Sequence, residues 1–507
     1  MNLHFGAGFF LRKLSLIAIA PSMASPAHMK ADKTVMPANW PGELKVILGL
    51  GLPMAATQLV QFFVYTIDVI MIGRVSADAL AASSLGLVIM FLLWMIGSGP
   101  VAAVTPLISQ ALGANRHDYD DVRHSVRMSL WVITLMTPLI ILGVMFTEPV
   151  LIVFGQDPVI SKMAGEYVLM LSFGMPFALG VMCLRNFLAA LNKTTIPFIL
   201  VIISTALNGF FNYLLIFGNW GFPRMELLGA GIASSLVYFI SFLLFIAYVS
   251  LDKEAKVFRI FKDFFVIKWE RMKELIVLGW PISVSTVFEG MLFNACVLLM
   301  GVIGKFEIAA YQIAMNVASL AFMLPWGLSM AGAVRVGLAA GARNHAAVKR
   351  VCVITILLCV AAMVTIAIFV TLMPNGIASL YLENNAENET VFNYVVLFLP
   401  LAAAFMLSDA VQVASNQLLR ALKDVRAPMF MTGFCYWIVG FPVAWYLGLK
   451  TSVGPNGIWY GLLISLTLAS VLLGGRLYWL VWKTQRYKLL VKEAELEKAQ
   501  PSHTIAD

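Results

Sequence analysis

Long apolar runs, separated by short polar segments, repeat along most of the chain. A helix that crosses a bilayer needs about 20 mostly apolar residues. Several runs are longer than that, so we expect tilted helices or extensions beyond the bilayer. The pattern predicts an all-α membrane protein with twelve transmembrane helices, at 48–72, 79–112, 122–147, 162–190, 197–218, 227–250, 274–302, 307–340, 346–373, 391–420, 427–448 and 456–482.

Composition supports the membrane assignment. Of the 507 residues, 60% are hydrophobic and 12% are charged, whereas a soluble chain has about 45–50% apolar and about 25% charged residues. A soluble fold could not cover so much apolar surface with so few charges. The formal net charge of +8 would by itself allow a nucleic-acid partner.

The distribution of basic residues accounts for this charge. If the N-terminus is cytoplasmic, thirty of the thirty-five Lys and Arg residues fall on the cytoplasmic side and five fall in outer loops. Cytoplasmic loops of membrane proteins carry such an excess. The sequence therefore predicts a multi-pass membrane protein with both termini in the cytoplasm, and no nucleic-acid partner.

An internal repeat relates the two halves of the chain. An even number of spans returns the chain to the same side, so both halves insert in the same orientation, with a pseudo-twofold axis along the membrane normal. Two six-helix lobes around a cleft suit alternating access, although duplication alone would leave the same pattern. The matching segments, at a shift of 228 or 231 positions, are 51–53 with 279–281, 113–117 with 341–345, and 190–193 with 421–424.

The repeat divides the chain into five parts. We expect a cytoplasmic N-terminal tail over 1–47 and a first lobe over 48–250. A charged cytoplasmic loop over 251–273 leads to a second lobe over 274–482, and a C-terminal tail covers 483–507.

Three acidic residues lie well inside predicted spans: Asp68, Glu289 and Asp409. Each costs roughly 3 kcal/mol at the centre of a membrane helix, and we expect no intramembrane Lys or Arg to pair with them. They are candidates for cation coupling and drug binding, because a carboxyl that alternates between a proton and an organic cation is a simple antiport device. The alternative is a buried acid that hydrogen-bonds to neighbouring polar groups.

Other polar and proline positions extend this candidate site. Gln61 lies seven residues before Asp68, on the same helix face, and Asn208 and Asn212 share one face of the fifth span. These amides are candidate partners of Asp68, or they join helices by hydrogen bonds. The remaining candidates are hinge prolines early in the first and seventh spans, Pro53 and Pro281.

Aromatic residues near the second-half acids are candidates for substrate contact. Phe288, Tyr311 and Phe405 lie close in sequence to Glu289 or Asp409, or on the neighbouring span. Aromatic faces attract organic cations. Packing between helices would also explain these residues.

Nothing in the sequence indicates an enzyme. The six histidines lie in tails or polar loops, the five cysteines are scattered through apolar stretches, and no GxxxxGK[ST] motif is present. A membrane-embedded transferase or protease would need a nucleophile or His constellation at depth. We expect no structural metal and no cofactor apart from a coupling ion.

Several motifs resemble the multidrug and toxic compound extrusion (MATE) family, in its NorM-type bacterial branch, over about residues 45–485. The resemblance implies twelve helices in two V-shaped lobes, which export cationic aromatic drugs against an inward flow of protons or sodium. It implies cation coupling and drug binding at Asp68, Glu289 and Asp409, with asparagines 208 and 212 supporting the first acid. The motifs are Tyr65-Thr-Ile-Asp68-Val-Ile-Met-Ile-Gly73, Pro281 with Phe288-Glu289, Ala309-Ala-Tyr311-Gln312-Ile-Ala-Met-Asn316, Arg335-Val-Gly337 and Ser408-Asp409-Ala-Val-Gln412-Val.

One position departs from the NorM-type pattern. Members of that branch carry Tyr four residues before the tenth-span acid, where this chain has Phe405. The ring face is kept but the hydroxyl is lost. A sodium site at Glu289 and Asp409 that needs this oxygen is put in doubt, so we favour protons and leave sodium open.

The sequence thus predicts a monomeric antiporter that exports small organic cations in exchange for H⁺ or Na⁺, with Gln312 added to the candidate substrate contacts by the motif above. A flippase for lipid-linked precursors is the main alternative. Such a protein would use intramembrane Arg and Lys for phosphate headgroups, and the sequence shows none clearly. A passive channel is a further alternative.

Overall fold

Helices form the regular structure of the described chain. The computed structural model describes residues 37, 39–115, 117, 119–382 and 388–483. Within these residues eleven helices are long and apolar enough to cross a membrane, and a twelfth span is a pair of helices bent by 43°. The predicted all-α class with twelve spans is confirmed. Spans 1 to 12 are Trp40–Gly73, Ala77–Ala114, Tyr119–Val153, Pro158–Ser172 with Met175–Ala190, Thr195–Phe217, Glu226–Leu251, Trp269–Ile303, Lys305–Gly341, His345–Leu372, Glu389–Ala421, Arg426–Leu449 and Pro455–Lys483.

Some spans are not regular throughout. Span 2 passes from one helix to the next at Ala103, and span 3 at Phe146. Span 11 includes a π-helical segment, Phe434–Gly440, and span 12 ends in another, Trp479–Lys483. Outside the spans lie a short helix and two 3₁₀ turns: Pro374–Tyr381, Asn219–Gly221 and Ala255–Phe258.

The bend in span 4 has a local cause. Pro176 has no N–H to donate to the carbonyl of residue 172, so the helix is weakened there. Ser235 of span 6 donates its hydroxyl to the Met170 carbonyl at 2.6 Å, which satisfies a backbone group next to the bend. A Cβ on Gly174 would lie 2.7 Å from the Cα of Ser235. A glycine is therefore needed for spans 4 and 6 to pack this closely.

Two spans begin five or more residues earlier than the sequence predicts. Span 1 begins at Trp40 and not at residue 48, and the side chain of Asn39 caps it by accepting the Gly42 N–H at 3.0 Å. Span 7 begins at Trp269 and not at 274. The apolar pattern missed both first turns because they carry charged residues. Of the predicted tails, residues 1–36 and 38 and residues 484–507 lie outside the described part of the chain.

Spans 1, 2, 7 and 8 form most of the contact between the two lobes. Spans 1 and 2 of the first lobe pack against span 8 of the second, and span 2 also packs against span 7. One apolar cluster fills the first lobe and continues across the interface into spans 7, 8, 9, 10 and 12, and a second apolar cluster lies within the second lobe.

Glycines bring the lobes into backbone contact in a symmetric pattern. A Cβ on Gly113 would collide with the backbone of Leu338, and a Cβ on Gly341 would collide with the backbone of Gln110. Under the repeat shift of 228 positions, Gly113 corresponds to Gly341 and Gln110 to Leu338. The two contacts are thus related by the pseudo-twofold axis.

A second symmetric pair lies further along the same interface. A Cβ on Gly51 would lie 2.9 Å from the Leu328 side chain, and a Cβ on Gly279 would collide with Pro100. These four residues again exchange under the shift of 228. Gly337 packs on Ser109, its own repeat mate, so that contact lies on the axis. The repeat read from the sequence is therefore a physical symmetry of the closed interface.

A buried ion pair joins the lobes near the same end. Arg335 of span 8 donates from Nε to Glu43 Oε1 at 2.6 Å and from Nη2 to Glu43 Oε2 at 2.9 Å. Both side chains are at most 1% exposed. The repeat mates of these residues are Leu107 and Arg271, which cannot form the same pair, so the bridge exists on one side of the axis only.

Candidate functional site

The first-lobe acid lies against two asparagines. Asp68 is half-buried on span 1, and Asn212 of span 5 donates from Nδ2 to Asp68 Oδ1 at 2.5 Å. The same Nδ2 lies 3.3 Å from Asn208 Oδ1. Asn208 and Asn212 are both buried. The structure therefore brings together the three residues that the sequence grouped.

This first-lobe cluster is rich in oxygen atoms that accept hydrogen bonds. The buried Oδ1 of Asn212 has no hydrogen-bond partner among the described residues. An unsatisfied buried acceptor is costly, so the arrangement is suited to a positively charged guest.

The two second-lobe acids also lie together. Asp409 of span 10 is 5% exposed, and it lies within electrostatic range of Glu289 on span 7. Gln412, one turn after Asp409, lies beside Glu289 and donates to the hydroxyl of Tyr436 at 2.9 Å. Sequence reasoning missed Tyr436. The signal that could have identified it is the position of a tyrosine, with its polar hydroxyl, within the apolar span 11.

Span 10 carries a polar stripe along one face. Asp409, Gln412, Asn416 and Arg420 follow one another at spacings of three or four residues, which places them on one side of a helix. Asp409 Oδ1, Gln412 Oε1 and Asn416 Oδ1 are buried without a hydrogen-bond partner among the described residues. The second lobe thus has its own set of unsatisfied acceptors.

No cluster of ordinary metal ligands accompanies these acids. In the part of the chain that the structure describes, no group of three or more His, Cys, Asp or Glu side chains could hold a metal ion. Any cation site here would use carboxylates together with amide or hydroxyl oxygens.

A large cavity lies between the lobes. Its volume is about 950 Å³, and its wall includes residues of spans 1, 2, 4, 5 and 6 and of spans 7, 8 and 10. Of the predicted site residues, Gln61 and Asn208 line it, whereas Asp68, Glu289 and Asp409 do not. The carboxylates therefore do not form the wall of the space that could hold a substrate, and Asp68 is joined to that wall through Asn212 and Asn208. Several aromatic side chains line this cavity: Phe62, Tyr65, Phe91, Trp94, Phe322 and Trp326.

Two arginines line the cavity, which corrects a prediction from the sequence. We expected no intramembrane Lys or Arg, but Arg185 lies on span 4 and Arg420 on span 10, and both reach the cavity wall. The count of basic residues on each side of the membrane assigns both to cytoplasmic loops, because each lies near the end of its span. Arg185 donates from Nη1 to Gln61 Oε1 at 2.9 Å. Gln61 is therefore a partner of this arginine and not of Asp68.

The predicted substrate contacts do not line this cavity. Tyr311 and Phe405 are buried in the second lobe, where their rings pack against Trp459 at 5.1 and 6.4 Å between centroids. Phe288 is half-buried beside Gly433, and Gln312 is exposed outside the cavity. The prediction rested on nearness to the acids in sequence, whereas none of these four side chains lines the cavity.

Both predicted hinge prolines lie inside unbroken helices. Span 1 runs through Pro53 and span 7 through Pro281. Thr57 satisfies the Pro53 carbonyl with a hydroxyl hydrogen bond at 2.7 Å. A hinge role for either proline stays a prediction.

Known proteins share this sequence and this fold. The MatE family profile matches residues 53–214 and 281–446, one segment in each lobe. The chain is 36% identical over 441 residues to the probable multidrug resistance protein NorM of Rhizobium meliloti (strain 1021), covering 87% of this chain and 94% of that protein. It is 34% identical over 445 residues to the multidrug resistance protein MdtK of Yersinia pestis (strain Pestoides F), covering 86% and 96%.

A solved structure supports the fold independently. The crystal structure of the eukaryotic MATE transporter AtDTX14 superposes with a TM-score of 0.80 at 19% identity, covering 90% of this chain and 99% of that one. Three observations indicate the same family. The chain has two apolar six-span lobes, the family profile matches once in each lobe, and the similar relatives cover nearly the full length. This multi-pass membrane protein is a transporter and not an enzyme, and it belongs to the multidrug and toxic compound extrusion (MATE) family, in its NorM-type bacterial branch.

Proposed function

We propose that this protein exports amphipathic aromatic compounds across the bacterial inner membrane in exchange for an inward-moving cation. The observation that carries the proposal is the separation of two kinds of site. Asp68 and the Glu289–Asp409 pair lie outside the cavity of about 950 Å³, which has room for a drug-sized molecule. A cation and an organic substrate can then bind at different places and influence each other through the lobes.

The direction of transport rests on the distribution of basic residues. The interlobe glycine contacts and the Glu43–Arg335 pair lie toward the ends of the spans that adjoin the basic loops. With those loops and both termini in the cytoplasm, the cavity is closed on the cytoplasmic side. In this state a cation from outside would reach the acids while a substrate leaves the cavity, and the reverse steps would follow once the lobes close outside.

We favour protons as the coupling ion and keep sodium as the alternative. A carboxyl in a low-dielectric interior binds a proton readily, and Asp68 needs no further ligand to do so. A sodium ion at Glu289 and Asp409 would need additional oxygens. Gln412 offers one, whereas Phe405 offers none.

The substrates proposed from the family are organic cations with aromatic rings. The cavity wall supports the aromatic part of this proposal, because rings of both lobes face the open volume. We propose that a monomer is sufficient, since the cavity is closed by the two lobes of one chain.

Proteoliposomes test the proposal. We expect ethidium to move against its gradient when a pH gradient is imposed, and less or not at all when a sodium gradient is imposed. Asp68→Asn, Glu289→Gln and Asp409→Asn should each abolish this movement without loss of folded protein. Asp78→Asn, which changes an exposed acid at the start of span 2, is the matched control and should leave transport intact. Ethidium efflux unchanged in all three variants would refute the coupling role, and dye movement independent of any gradient would indicate a channel.

One alternative is favoured by a specific observation. Arg185 and Arg420 in the cavity are the kind of residues that a flippase would use for a phosphate headgroup. A fluorescent lipid phosphate reconstituted in the same vesicles tests this. Its gradient-driven movement between leaflets, with no ethidium transport, would favour the flippase.

A further inference from the structure

The central cavity has two arginines at similar depths, one from each lobe. Arg185 lies five residues before the end of span 4 at Ala190, and Arg420 lies one residue before the end of span 10 at Ala421. Spans 4 and 10 are equivalent in the repeat, and the shift of 231 relates Arg420 to residue 189. That position is one helical turn, or about 6 Å, from Arg185. The two side chains therefore mark the floor of the cavity, next to the closed end.

The two arginines lack a direct ion-pair partner in the described part of the chain. Among the described residues, Arg185 and Arg420 form no salt bridge within 4 Å, whereas the buried Arg335 has a bidentate carboxylate partner. The contacts of Arg185 are one hydrogen bond to Gln61, and its buried Nε has no partner in the described chain. Arg420 has a long contact of 3.4 Å to the hydroxyl of Thr286 and lies within electrostatic range of Glu289.

The rest of the cavity wall does not offset this charge. None of the described residues that line it is acidic, and its other polar groups are amides and hydroxyls such as Gln58, Asn208 and Gln417. A cleft lined by charge of one sign with low-dielectric walls focuses its field on a ligand of the opposite sign. A guanidinium left partly desolvated is stabilised most by a carboxylate or phosphate, which can accept two hydrogen bonds from it.

We propose that the floor of the cavity is an anion subsite, in which Arg185 and Arg420 bind a carboxylate or phosphate group of an amphipathic substrate. This inference rests on the proposed export function and changes its substrate class from purely cationic compounds to zwitterions and organic anions. The aromatic rings above the floor hold the apolar body of the substrate. Because the arginines come from different lobes, a bound anion bridges the two halves.

A pair of dyes that differ in one group tests the subsite. Rhodamine 110 has a free benzoate, and rhodamine 123 is its methyl ester with the same ring system. We measure their binding to the purified full-length protein by fluorescence polarisation. We expect the acid to bind about tenfold more tightly than the ester, since one charge-assisted bidentate contact separates them. Arg185→Gln and Arg420→Gln should each reduce the preference, and the double variant should abolish it.

Controls separate charge from folding. Arg185→Lys and Arg420→Lys keep the charge and should retain part of the preference. Arg224→Gln removes an arginine that is 59% exposed, away from the cavity, and should leave the preference unchanged. Equal affinity for the two dyes in the unmodified protein, or a preference that survives in the double variant, would overturn the proposal. The test reads binding and not transport, so a failure of gradient-driven export would not be mistaken for a failure of the subsite.

Two competitors then distinguish the sources of the anion. Dodecanoate and dodecyl phosphate are added to the rhodamine 110 complex. Stronger displacement by the carboxylate assigns the subsite to organic acids, and stronger displacement by the phosphate assigns it to a lipid-like headgroup. If neither competitor displaces the dye, the anion subsite is refuted.

Discussion

The ion pair between Glu43 and Arg335 should act as a lock on the closed end of the cavity. Its two hydrogen bonds, at 2.6 and 2.9 Å, join span 1 to span 8 with both side chains buried. Removing one partner of such a pair leaves an uncompensated buried charge and costs about 3–5 kcal/mol. When the lobes separate at this end, water reaches the Arg335 side chain of the variant, so the cost falls on the closed state. Glu43→Gln should therefore shift the equilibrium toward opening by roughly 100-fold or more.

A cysteine at the interface reports this shift. Ser109 is buried against Gly337 on the pseudo-twofold axis, and the five native cysteines are all buried. In a Ser109→Cys background, a water-soluble maleimide should label the protein slowly. Adding Glu43→Gln should increase the labelling rate by the factor given above.

Two further variants make this result decisive. Arg335→Gln combined with Glu43→Gln removes both charges and should restore most of the slow labelling, since no unpaired charge remains. Glu274→Gln is the matched control. Its partners Lys423 and Arg271 are 33% and 19% exposed, and such partly exposed pairs contribute about 1 kcal/mol or less each. If Glu43→Gln labels as slowly as its parent, or if the double variant labels as fast as the single one, the lock does not exist.

Two other predictions concern the same end of the protein. Gly341→Ala places a methyl group against the backbone of Gln110 and should increase maleimide labelling of the Ser109→Cys reporter. Gly475→Ala, where nothing lies within 4 Å of the new methyl, should not, and equal labelling in both variants would contradict the packing argument. Burial alone would raise the pKa of Asp252, but Lys193 at 2.8 Å and the backbone N–H groups of Ala255 and Glu254 together outweigh it and hold the pKa below its ordinary value. The pair therefore stabilises the protein above about pH 4 and is lost on acidification below it. Thermal unfolding should show a steeper acid limb in the unmodified protein than in Asp252→Asn, and parallel curves would refute the assignment.

The number of spans and the symmetry of the lobes could be predicted because both depend on long patterns. A run of about twenty apolar residues is easy to detect along a sequence. The repeat shift of 228 persists without a gap from residue 51 to residue 117. The first turns of spans 1 and 7 were missed because their charges have partners far along the chain. The carboxylate of Glu43 can be buried in the span because Arg335, 292 positions later, pairs with it.

Only part of the candidate site could be predicted, because some of its contacts depend on how the helices pack. Asn212 and Asp68 could be grouped, since each is a polar group that lipid would not tolerate. The pairing of Gln61 with Arg185 could not be, because the sequence does not state how closely span 4 approaches span 1. Arg185 and Arg420 both fall within predicted spans. The repeat relates their positions, so it predicts that they lie at similar depths in the membrane. The count of basic residues on each side of the membrane assigned both to cytoplasmic loops, so their position inside the spans was missed.

The glycine contacts across the pseudo-twofold axis have a consequence for the half-chain alone. Residues 110 and 113 meet residues 338 and 341 reciprocally, and Ser109 meets its own mate at 337. Such a pattern is an isologous interface, the kind that closes a homodimer. A single six-span half thus carries a self-complementary surface and could pair with a copy of itself. The positions that differ between the halves, such as Gln61 with Glu289 and Asp68 with Cys296, lie outside these contacts. The two lobes could therefore diverge in chemistry while the surface that joins them stayed the same.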